Sequence, residues 1–224
     1  MIETIEAVPE EIYDIELEHS LLEANAKIAR ENRALLDARG IIAIDVMGAI
    51  GSGKTTLITR LVEKLKDRLG VAVFNGDATT STDADPIAKM GVQVVQIATV
   101  NGCHLDANLV GKALHRIDLD KLELIFIENI GNLICPAEFP LGSKARVVVV
   151  SVTEGPYMVR KHPHMFMGAS IVVINKLDLA DAMGVSIDAL RDDAHRLKPG
   201  IKVIVTSCKT GEGLDEVVNA LLAA

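Results

Sequence analysis

Short apolar segments alternate with helical segments along most of the chain, and this alternation constrains the fold most strongly. Seven runs rich in β-branched residues indicate buried strands, at residues 41–47, 71–75, 94–99, 122–128, 146–152, 170–175 and 201–206. Helical patterns lie between most of them, at residues 54–69, 105–117, 184–197 and 213–223. Apolar strands that alternate with helices are typical of a mainly parallel sheet with helices on both faces. The sequence therefore predicts an α/β fold.

A separate helical pattern precedes the first of these strands. Apolar residues between Leu17 and Arg39 recur at spacings of three, four and seven residues, and Gly40 is a natural stop. We therefore expect an N-terminal helical extension in residues 1–39 and one α/β domain in residues 40–224.

Composition and charge limit the partners of the chain. The 224 residues include 23 basic and 31 acidic ones, a net charge of −8, which disfavours nucleic acid and anionic membranes as partners. No apolar run approaches the roughly 20 residues that span a bilayer, and the first residues are acidic, unlike a signal peptide. Three scattered cysteines fit a reducing compartment. We expect a cytoplasmic protein.

The first predicted strand is followed by GAIGSGKTT at residues 48–56, which fits the phosphate-loop pattern G-x-x-x-x-G-K-[ST]. Glycines let backbone N–H groups turn toward phosphates, a lysine reaches the β- and γ-phosphates, and the next hydroxyl binds Mg²⁺. The helix that follows directs its positive end at the anion. The residues expected to bind phosphate are Gly48, Gly51, Ser52, Gly53, Lys54, Thr55 and Thr56.

Two later loops indicate that the nucleotide is GTP. The tetrapeptide NKLD at residues 175–178 follows a strand and matches the N-K-x-D of guanine-binding GTPases. A carboxylate at Asp178 can accept from both N1–H and the 2-amino group of guanine, a pair that adenine lacks. The loop SCKTGEG at residues 207–213 resembles the S-A-K loop that backs guanine, with Cys208 as a small packed residue. The predicted guanine-site residues are Asn175, Lys176, Asp178, Ser207, Cys208 and Lys209.

Carboxylates after two other strands are candidates for the Mg²⁺ site. Asp77 follows the second predicted strand, and Glu128 begins ENIG, which resembles the D-x-x-G switch of GTPases with Glu in place of Asp. Thr55, Asp77 and Glu128 are then the expected magnesium ligands, and the Gly131 N–H senses the γ-phosphate. Lys54, Asp77 and Glu128 are the candidate catalytic residues. Asn132 stands where GTPases carry the water-orienting glutamine, so we expect slow hydrolysis.

A second group of residues has the chemistry of a metal site. Cys103 and His104 follow the strand at 94–99, and Cys135 lies four residues beyond the switch glycine. Zn²⁺ and Ni²⁺ accept such ligands, but three are one fewer than a closed zinc site requires. Water or a second subunit completes the site, or the three residues are ordinary packed side chains. Spacing alone leaves these alternatives open.

Several segments together closely resemble HypB-type GTPases, a P-loop family of the SIMIBI class that helps insert nickel into [NiFe] hydrogenases. They are GSGKTT, QIATVNGCHLDANLV, FIENIGNLICPAEF, SVTEG, KHPHMF and NKLDL, and the resemblance covers residues 30–224. It implies that Cys103, His104 and Cys135 bind nickel or zinc at a homodimer interface that GTP promotes. It also implies a HypA-type nickel-binding partner and a hydrogenase large-subunit precursor as recipient.

Departures from the family and competing functions remain. Some members carry a Cys-rich or His-rich nickel store at the N-terminus. Before position 103 this chain has no cysteine and only His19, so we do not expect it to store nickel with high affinity. His162, His164 and His115 are expected to be surface or packing residues. The alternatives are a urease-type nickel chaperone GTPase, which shares the fold and the glutamate switch, and a signalling GTPase or small-molecule kinase with incidental cysteines.

Overall fold

A computed structural model describes residues 2–6, 18–76, 85–99, 104–132 and 134–223 of the chain. In these segments eight strands form one sheet, and every strand pair is parallel. The strands are β1 (Ile2–Glu6), β2 (Ile42–Met47), β3 (Val71–Asn75), β4 (Gln93–Ala98), β5 (Leu124–Glu128), β6 (Ala145–Ser151), β7 (Ile171–Asn175) and β8 (Lys202–Val205). Their order across the sheet is β1-β4-β3-β5-β2-β6-β7-β8.

Helices connect the strands. In the described segments the α-helices are α1 (Glu18–Asp37), α2 (Lys54–Leu65), α3 (Asp85–Ala88), α4 (Ala107–Leu114), α5 (Cys135–Glu138), α6 (Met158–Lys161), α7 (Pro163–Met167), α8 (Ala180–Met183), α9 (Ile187–Leu197) and α10 (Leu214–Leu222). Short 3₁₀ turns occupy Leu119–Lys121, Val152–Glu154 and Leu177–Leu179. None of the helices described is long and apolar enough to cross a bilayer.

The predicted parallel sheet with helices on both faces, in a P-loop GTPase-like fold, is confirmed. Buried side chains of α2 and α10 pack on one face of the sheet, and those of α1, α4, α6, α7 and α9 pack on the other. Phe126 and Phe74 are fully buried on opposite faces. Burying one such side chain contributes about 1.5–3 kcal/mol, so both faces stabilise the sheet.

The N-terminal region contains the predicted helix and one strand that the pattern did not predict. Helix α1 ends at Asp37, and Asn32 on it donates to the carbonyl oxygen of Ala107 at 2.7 Å, which ties α1 to α4. Strand β1 pairs with β4 from Ile2 opposite Val94 onward. Strand β1 lies at the edge of the sheet and pairs on one side only. Edge strands tolerate charged residues, so β1 lacks the run of apolar residues by which the other strands were predicted.

The direction of the strands brings the loops of interest together. Because all strands are parallel, the loops that follow β2, β3, β5, β6, β7 and β8 leave the sheet at the same, carboxyl, edge. Ligands of open α/β sheets bind at this edge. The phosphate loop, the ENIG segment, NKLD and SCKTGEG all follow strand ends there.

Candidate functional site

The phosphate loop runs from the end of β2 into α2, and its glycines permit a close approach of backbone. Gly53 has φ of 98°, a left-handed conformation, and a Cβ there would overlap the side-chain amide of Asn175. The predicted phosphate loop and the predicted guanine loop therefore touch at a position that only glycine allows. Ser52 is buried in the same loop, and Thr56 is exposed on the first turn of α2.

Lys54 is buried within the loop. Its side chain is 3 % exposed, and Nζ donates to the carbonyl oxygens of Gly48 and Ala49, both at 3.3 Å. Lys54 is also the first residue of α2, so the N–H groups at the start of this twelve-residue helix, which have no acceptor within the helix, face the loop. A positive charge and a helix N-terminus together form the kind of site that holds phosphate.

Thr55 and Glu128 are in direct contact. The Thr55 hydroxyl donates to Oε1 of Glu128 at 2.5 Å, and Glu128 is fully buried at the end of β5. Two hard oxygen ligands from adjacent strand ends are suited to Mg²⁺, which prefers such donors. These two predicted magnesium ligands therefore lie together, whereas the third, Asp77, lies outside the described residues.

Asn175 connects the phosphate loop to both guanine loops. Its Nδ2 donates to the carbonyl oxygen of Ser52 at 3.0 Å, and its Oδ1 accepts from the N–H of Lys176 at 2.8 Å and of Cys208 at 3.2 Å. The side chain is 2 % exposed. Three hydrogen bonds at one buried amide fix the three loops relative to one another.

The rest of the guanine segment is arranged around an exposed carboxylate. Lys176 takes a left-handed conformation, with φ of 63°, and its Nζ donates to the carbonyl oxygen of Gly51 at 2.7 Å. Asp178 is exposed and accepts from the Ser207 hydroxyl at 2.6 Å. That bond leaves the second carboxylate oxygen facing solvent. Lys209 is exposed at the end of the same loop.

Cys208 is packed in the core. It is 5 % exposed and belongs to the apolar cluster beneath α2 and α10. Burial raises the pKa of its thiol to about 11. A thiol that is neutral and enclosed is a poor metal ligand at neutral pH, in agreement with its expected role as a small packed residue.

The switch glycine lies against the phosphate loop. A Cβ at Gly131 would lie 3.1 Å from the backbone nitrogen of Ile50 and closer to its side chain, so only glycine permits this packing. Ile50 itself is 81 % exposed at the tip of the loop. Asn132 uses its Oδ1 to accept from the Ile134 N–H at 3.0 Å, which shapes the turn into α5. The ENIG segment and the phosphate loop are thus in contact through their backbones.

The predicted metal ligands are partly described. His104 stacks on Phe139 with ring centroids 3.8 Å apart and planes inclined by 25°. Phe139 follows α5, the short helix whose first residue is the half-buried Cys135. Burial lowers the pKa of the His104 imidazole, against the opposing charges of Asp106 and Glu138. A neutral imidazole presents the lone pair that a metal requires.

Cys103 lies outside the described residues, whereas His19 is the second residue of α1. Within the ranges that the structure describes, no three His, Cys, Asp or Glu side chains are close enough to hold a metal ion. The donor types of His104 and Cys135 nevertheless suit Ni²⁺ or Zn²⁺. His162 lies between α6 and α7, and His164 and His115 are exposed, as expected of surface residues.

Sequence reasoning missed a buried polar network beneath the site. Asp45 on β2 is fully buried and accepts from Arg146 Nε at 3.0 Å and from Asn129 Nδ2 at 3.1 Å. Burial raises the pKa of Asp45 although Arg146 and both hydrogen bonds oppose the shift. The available signal was an aspartate inside the apolar run IIAIDVM, since a buried charge requires a partner.

The loop after β6 adds a second polar cluster that was not predicted. Ser151 and Glu154 form a reciprocal cap in which Glu154 Oε1 accepts from the Ser151 N–H at 2.7 Å. Thr153 accepts from Lys176 Nζ at 3.2 Å, which joins this loop to the guanine segment. Burial raises the pKa of Glu154, against the effect of the Ser151 N–H and of the charges of Lys176 and Lys54.

Comparisons with known proteins agree with this geometry. Residues 42–205 match the family model described as CobW/HypB/UreG, nucleotide-binding domain. The chain is 48 % identical over 205 residues to the probable hydrogenase maturation factor HypB of Methanocaldococcus jannaschii, covering 92 % of this chain and 93 % of that protein. It is 34 % identical over 213 residues to the hydrogenase/urease maturation factor HypB of Helicobacter pylori, covering 93 % and 87 %.

Solved structures give the same result. The hydrogenase maturation factor HypB of Archaeoglobus fulgidus has a TM-score of 0.85 and 39 % identity, and the match covers 90 % of this chain and 98 % of that one. HypB of H. pylori in complex with nickel has a TM-score of 0.84 and 34 % identity, covering 89 % and 94 %. By sequence and by fold, the chain belongs to the CobW/HypB/UreG family and, within it, to the HypB hydrogenase maturation factors.

Proposed function

We propose that this chain is a GTP-hydrolysing metallochaperone that delivers nickel during [NiFe] hydrogenase maturation. The nucleotide assignment depends on the hydrogen bonds of the Asn175 side chain. It bonds to Ser52 of the phosphate loop and to Cys208 of the SCKTGEG loop, so the phosphate site and the guanine site are held together. A nucleotide whose phosphates lie along the phosphate loop would direct its base toward Asp178. The free oxygen of that carboxylate suits the donor pair of guanine.

Mg²⁺ fits the ligands at the phosphate end. The Thr55 hydroxyl and the Glu128 carboxylate supply two oxygens, and Asp77 is proposed as the further carboxylate. When bound, Mg²⁺ neutralises charge that develops on the phosphates. The protein contributes Lys54, which can exchange its bonds to loop carbonyls for phosphate oxygens.

Hydrolysis by the isolated chain should be slow. Asn132 stands next to the switch glycine and its Oδ1 is engaged by the Ile134 N–H, so it is poorly placed to orient water. Unassisted GTPases turn over at about 3 × 10⁻⁴ to 10⁻² per second, and assisted ones exceed about 1 per second. A turnover above about 1 per second for the isolated chain would refute this part of the proposal.

The proposed cargo site consists of Cys103, His104 and Cys135, with nickel or zinc as the bound ion. Three ligands are one fewer than a closed structural site requires and so suit transfer better than structural support, and a second copy of the chain would supply further ligands in a GTP-promoted homodimer. The H. pylori relative whose structure holds nickel supports the choice of metal. A HypA-type nickel-binding protein and a hydrogenase large-subunit precursor are the proposed partners, in the cytoplasm.

Nucleotide and metal would be coupled because both use the segment that runs from Glu128 to Cys135. GTP would order this segment through Mg²⁺ near Glu128 and through the Gly131 N–H, and Gly131 is so close to Ile50 of the phosphate loop that a Cβ would meet it. Cys135, four residues further on, would then be held toward Cys103 and His104. Hydrolysis would release the segment and weaken the metal site, an order–disorder switch with a metal ligand attached.

Metal affinity measured in three nucleotide states tests this proposal. Ni²⁺ affinity and the mass of the protein in solution would be compared for the apo, GDP-bound and GTP-analogue-bound forms. We expect tighter binding and a dimer with the analogue, and reciprocal tightening of the analogue by metal. Equal affinities in all three forms would refute the coupling. Unchanged metal stoichiometry in the Cys103→Ala, Cys135→Ala double variant would favour incidental cysteines.

A base-swap variant tests the guanine assignment separately. Asp178→Asn replaces an acceptor by a donor where guanine presents its 2-amino group, whereas xanthine presents an oxygen there. The variant should lose GTP affinity and gain affinity for xanthosine triphosphate. Retention of GTP over xanthosine triphosphate would contradict the role of Asp178.

A urease-type nickel chaperone remains the alternative function. One relative, from H. pylori, is named a hydrogenase/urease maturation factor, which favours keeping it. Delivery of Ni²⁺ from the loaded chain to a hydrogenase large-subunit precursor, measured against delivery to apo-urease, would separate the two functions.

A further inference from the structure

The side chain of Asn129 joins three segments of the nucleotide edge. Asn129 follows Glu128 directly and is fully buried. Its Oδ1 accepts from the Ile130 N–H at 3.0 Å and from the Leu105 N–H at 3.3 Å, and its Nδ2 donates to Asp45 at 3.1 Å. One oxygen atom is therefore shared between two backbone amides that are 25 residues apart in the sequence.

The two amides belong to the two functional segments. Leu105 follows His104, so its N–H marks the end of the Cys-His loop before α4. Ile130 precedes Gly131, so its N–H lies in the switch. Both amides use the same acceptor, and a change in the geometry of one bond alters the strength of the other.

The other end of the Asn129 side chain is anchored. Asp45 lies on the central strand β2 and pairs with Arg146 at 3.0 Å. Arg146 also donates from Nη1 to the carbonyl oxygen of Ala137 at 3.0 Å, and Ala137 lies on α5, two residues after Cys135. The same buried network thus contacts the backbone on both sides of the proposed cargo site.

We propose that Asn129 is a positioning residue that transmits the nucleotide state from the switch to the Cys-His loop, an inference that rests on the proposed function. Asp45 holds the amide still. When the Gly131 N–H engages the γ-phosphate, the Ile130 peptide turns and its bond to Oδ1 changes. The hydrogen bond from the Leu105 N–H to the same oxygen then becomes stronger or weaker. His104, one residue earlier, moves relative to Cys135 as a result.

The test compares how strongly Ni²⁺ affinity depends on the bound nucleotide in each variant. Ni²⁺ affinity in a single state is not sufficient, because structural damage would also lower it. Ni²⁺ affinity is measured by competition with a chromophoric chelator in the GDP and the GTP-analogue states, and the ratio of the two is the coupling factor. Typical coupling factors are about 5–150-fold. In Asn129→Ala we expect the coupling factor to fall by about fivefold, because the loss of one average hydrogen bond changes an equilibrium constant by about that much. Hydrogen exchange of the Leu105 amide, measured without metal, should become equal in the two nucleotide states.

Asn32→Ala is the matched control. Asn32 is a buried asparagine, 6 % exposed, that donates to the carbonyl oxygens of Ala107 and Leu141 and so holds α4 from its other side. None of these bonds involves the switch. The control should lose stability, and any change in its Ni²⁺ affinity should be equal in both nucleotide states, so that its coupling factor is preserved.

A swap variant provides the rescue. In Asp45→Asn with Asn129→Asp, the new amide at 45 accepts from Arg146 and donates to the new carboxylate at 129. That carboxylate still accepts from the Leu105 and Ile130 amides, and the network keeps its net charge although the negative charge moves from position 45 to position 129. The swap keeps every hydrogen bond of the network, so it should restore the coupling factor that Asn129→Ala loses, even if that variant folds poorly.

The outcomes separate this inference from the proposed function. A wild-type coupling factor of one contradicts the nucleotide-gated site and this inference together. If the wild type shows a clear coupling factor and Asn129→Ala keeps it, the proposed role of Asn129 is refuted. The same holds if Asn32→Ala lowers the factor by as much as Asn129→Ala does. Neither result contradicts the proposed metallochaperone function. Failure of the swap to restore the factor also refutes the role of Asn129.

Discussion

Replacing Arg146 by Met tests whether the buried network is held by its charge pair. Met preserves the aliphatic length of the side chain and removes the guanidinium. The variant loses the bond from Nε to Asp45 and the bond from Nη1 to the carbonyl oxygen of Ala137, each 3.0 Å long. Asp45 is 0 % exposed, so water cannot replace the lost partner, and Asn129 remains its donor.

The expected loss of stability follows from that burial. Breaking a buried ion pair by removing one partner costs about 3–5 kcal/mol, because a charge is left without compensation. Domains of this kind are stable by about 5–15 kcal/mol, so the variant should fold but with much of its margin gone. The loss of stability cannot exceed the free energy needed to protonate Asp45, since Asp45 can become neutral instead of remaining a buried anion.

That protonation gives the effect a distinctive pH dependence. Burial already raises the pKa of Asp45 above its ordinary value of 3.8, and loss of Arg146 removes the strongest opposing effect. The folded state then binds more protons than the unfolded state between these two pKa values. The contribution of Asp45 to stability is therefore fully present below about pH 3.8 and is lost as pH rises through the folded pKa, with a slope of up to about 1.4 kcal/mol per pH unit.

Urea denaturation followed by circular dichroism at pH 5 and pH 8 measures both effects. Arg160→Met is the control, because Arg160 pairs with the equally buried Asp193 but is itself half exposed, and Arg196 contacts the same carboxylate. Arg146→Met should lose more stability than the control, and the loss should be larger at pH 8. Equal losses in the two variants, or a loss at pH 5 as large as that at pH 8, would refute the reasoning.

Three further predictions concern single side chains. Gly53→Ala should weaken GDP binding by at least about fivefold, as measured by fluorescent-nucleotide titration, because its Cβ would displace the Asn175 amide and strain a left-handed residue by about 1–3 kcal/mol. Phe139→Ala should weaken Ni²⁺ binding by about 2–10-fold and Phe139→Tyr should not, since ring stacking on His104 is worth about 0.5–1.5 kcal/mol. Cys208, with a pKa of about 11, should be alkylated at pH 8 only as fast as the chain unfolds, as followed by peptide mass spectrometry.

The sheet could be predicted because its signal is local. Strands that are covered by helices on both faces are mostly apolar, and seven of the eight described strands are. Strand β1 is not, because pairing with β4 alone satisfies it through backbone bonds that side chains do not encode. The short helices α5 to α8 also escaped prediction, since one turn is too short for a helical period to be visible.

Parts of the site could be predicted where nucleotide chemistry requires particular residue types at a fixed spacing in the sequence. The phosphate loop and NKLD each occupy consecutive positions, so they can be recognised without knowledge of the fold. Asn129, Asp45 and Arg146 lie 84 to 101 residues apart in their hydrogen-bonded pairs, and only the parallel register of β2 with β5 and β6 brings them together. A sequence shows that Asp45 requires a partner, but the partner is decided by the strand order.

The strand order also supports the proposed coupling of metal and nucleotide. Strand β5 lies between β3 and β2, so the segment that leaves Glu128 emerges beside the end of β2, where the phosphate loop begins. The same segment contacts Ile50 at Gly131 and reaches His104 through Phe139. A nucleotide that moved the switch would therefore move a segment already packed against His104. Coupling then requires no long pathway, only that the two arrangements of residues 128–139 differ by the few kcal/mol that one phosphate can supply.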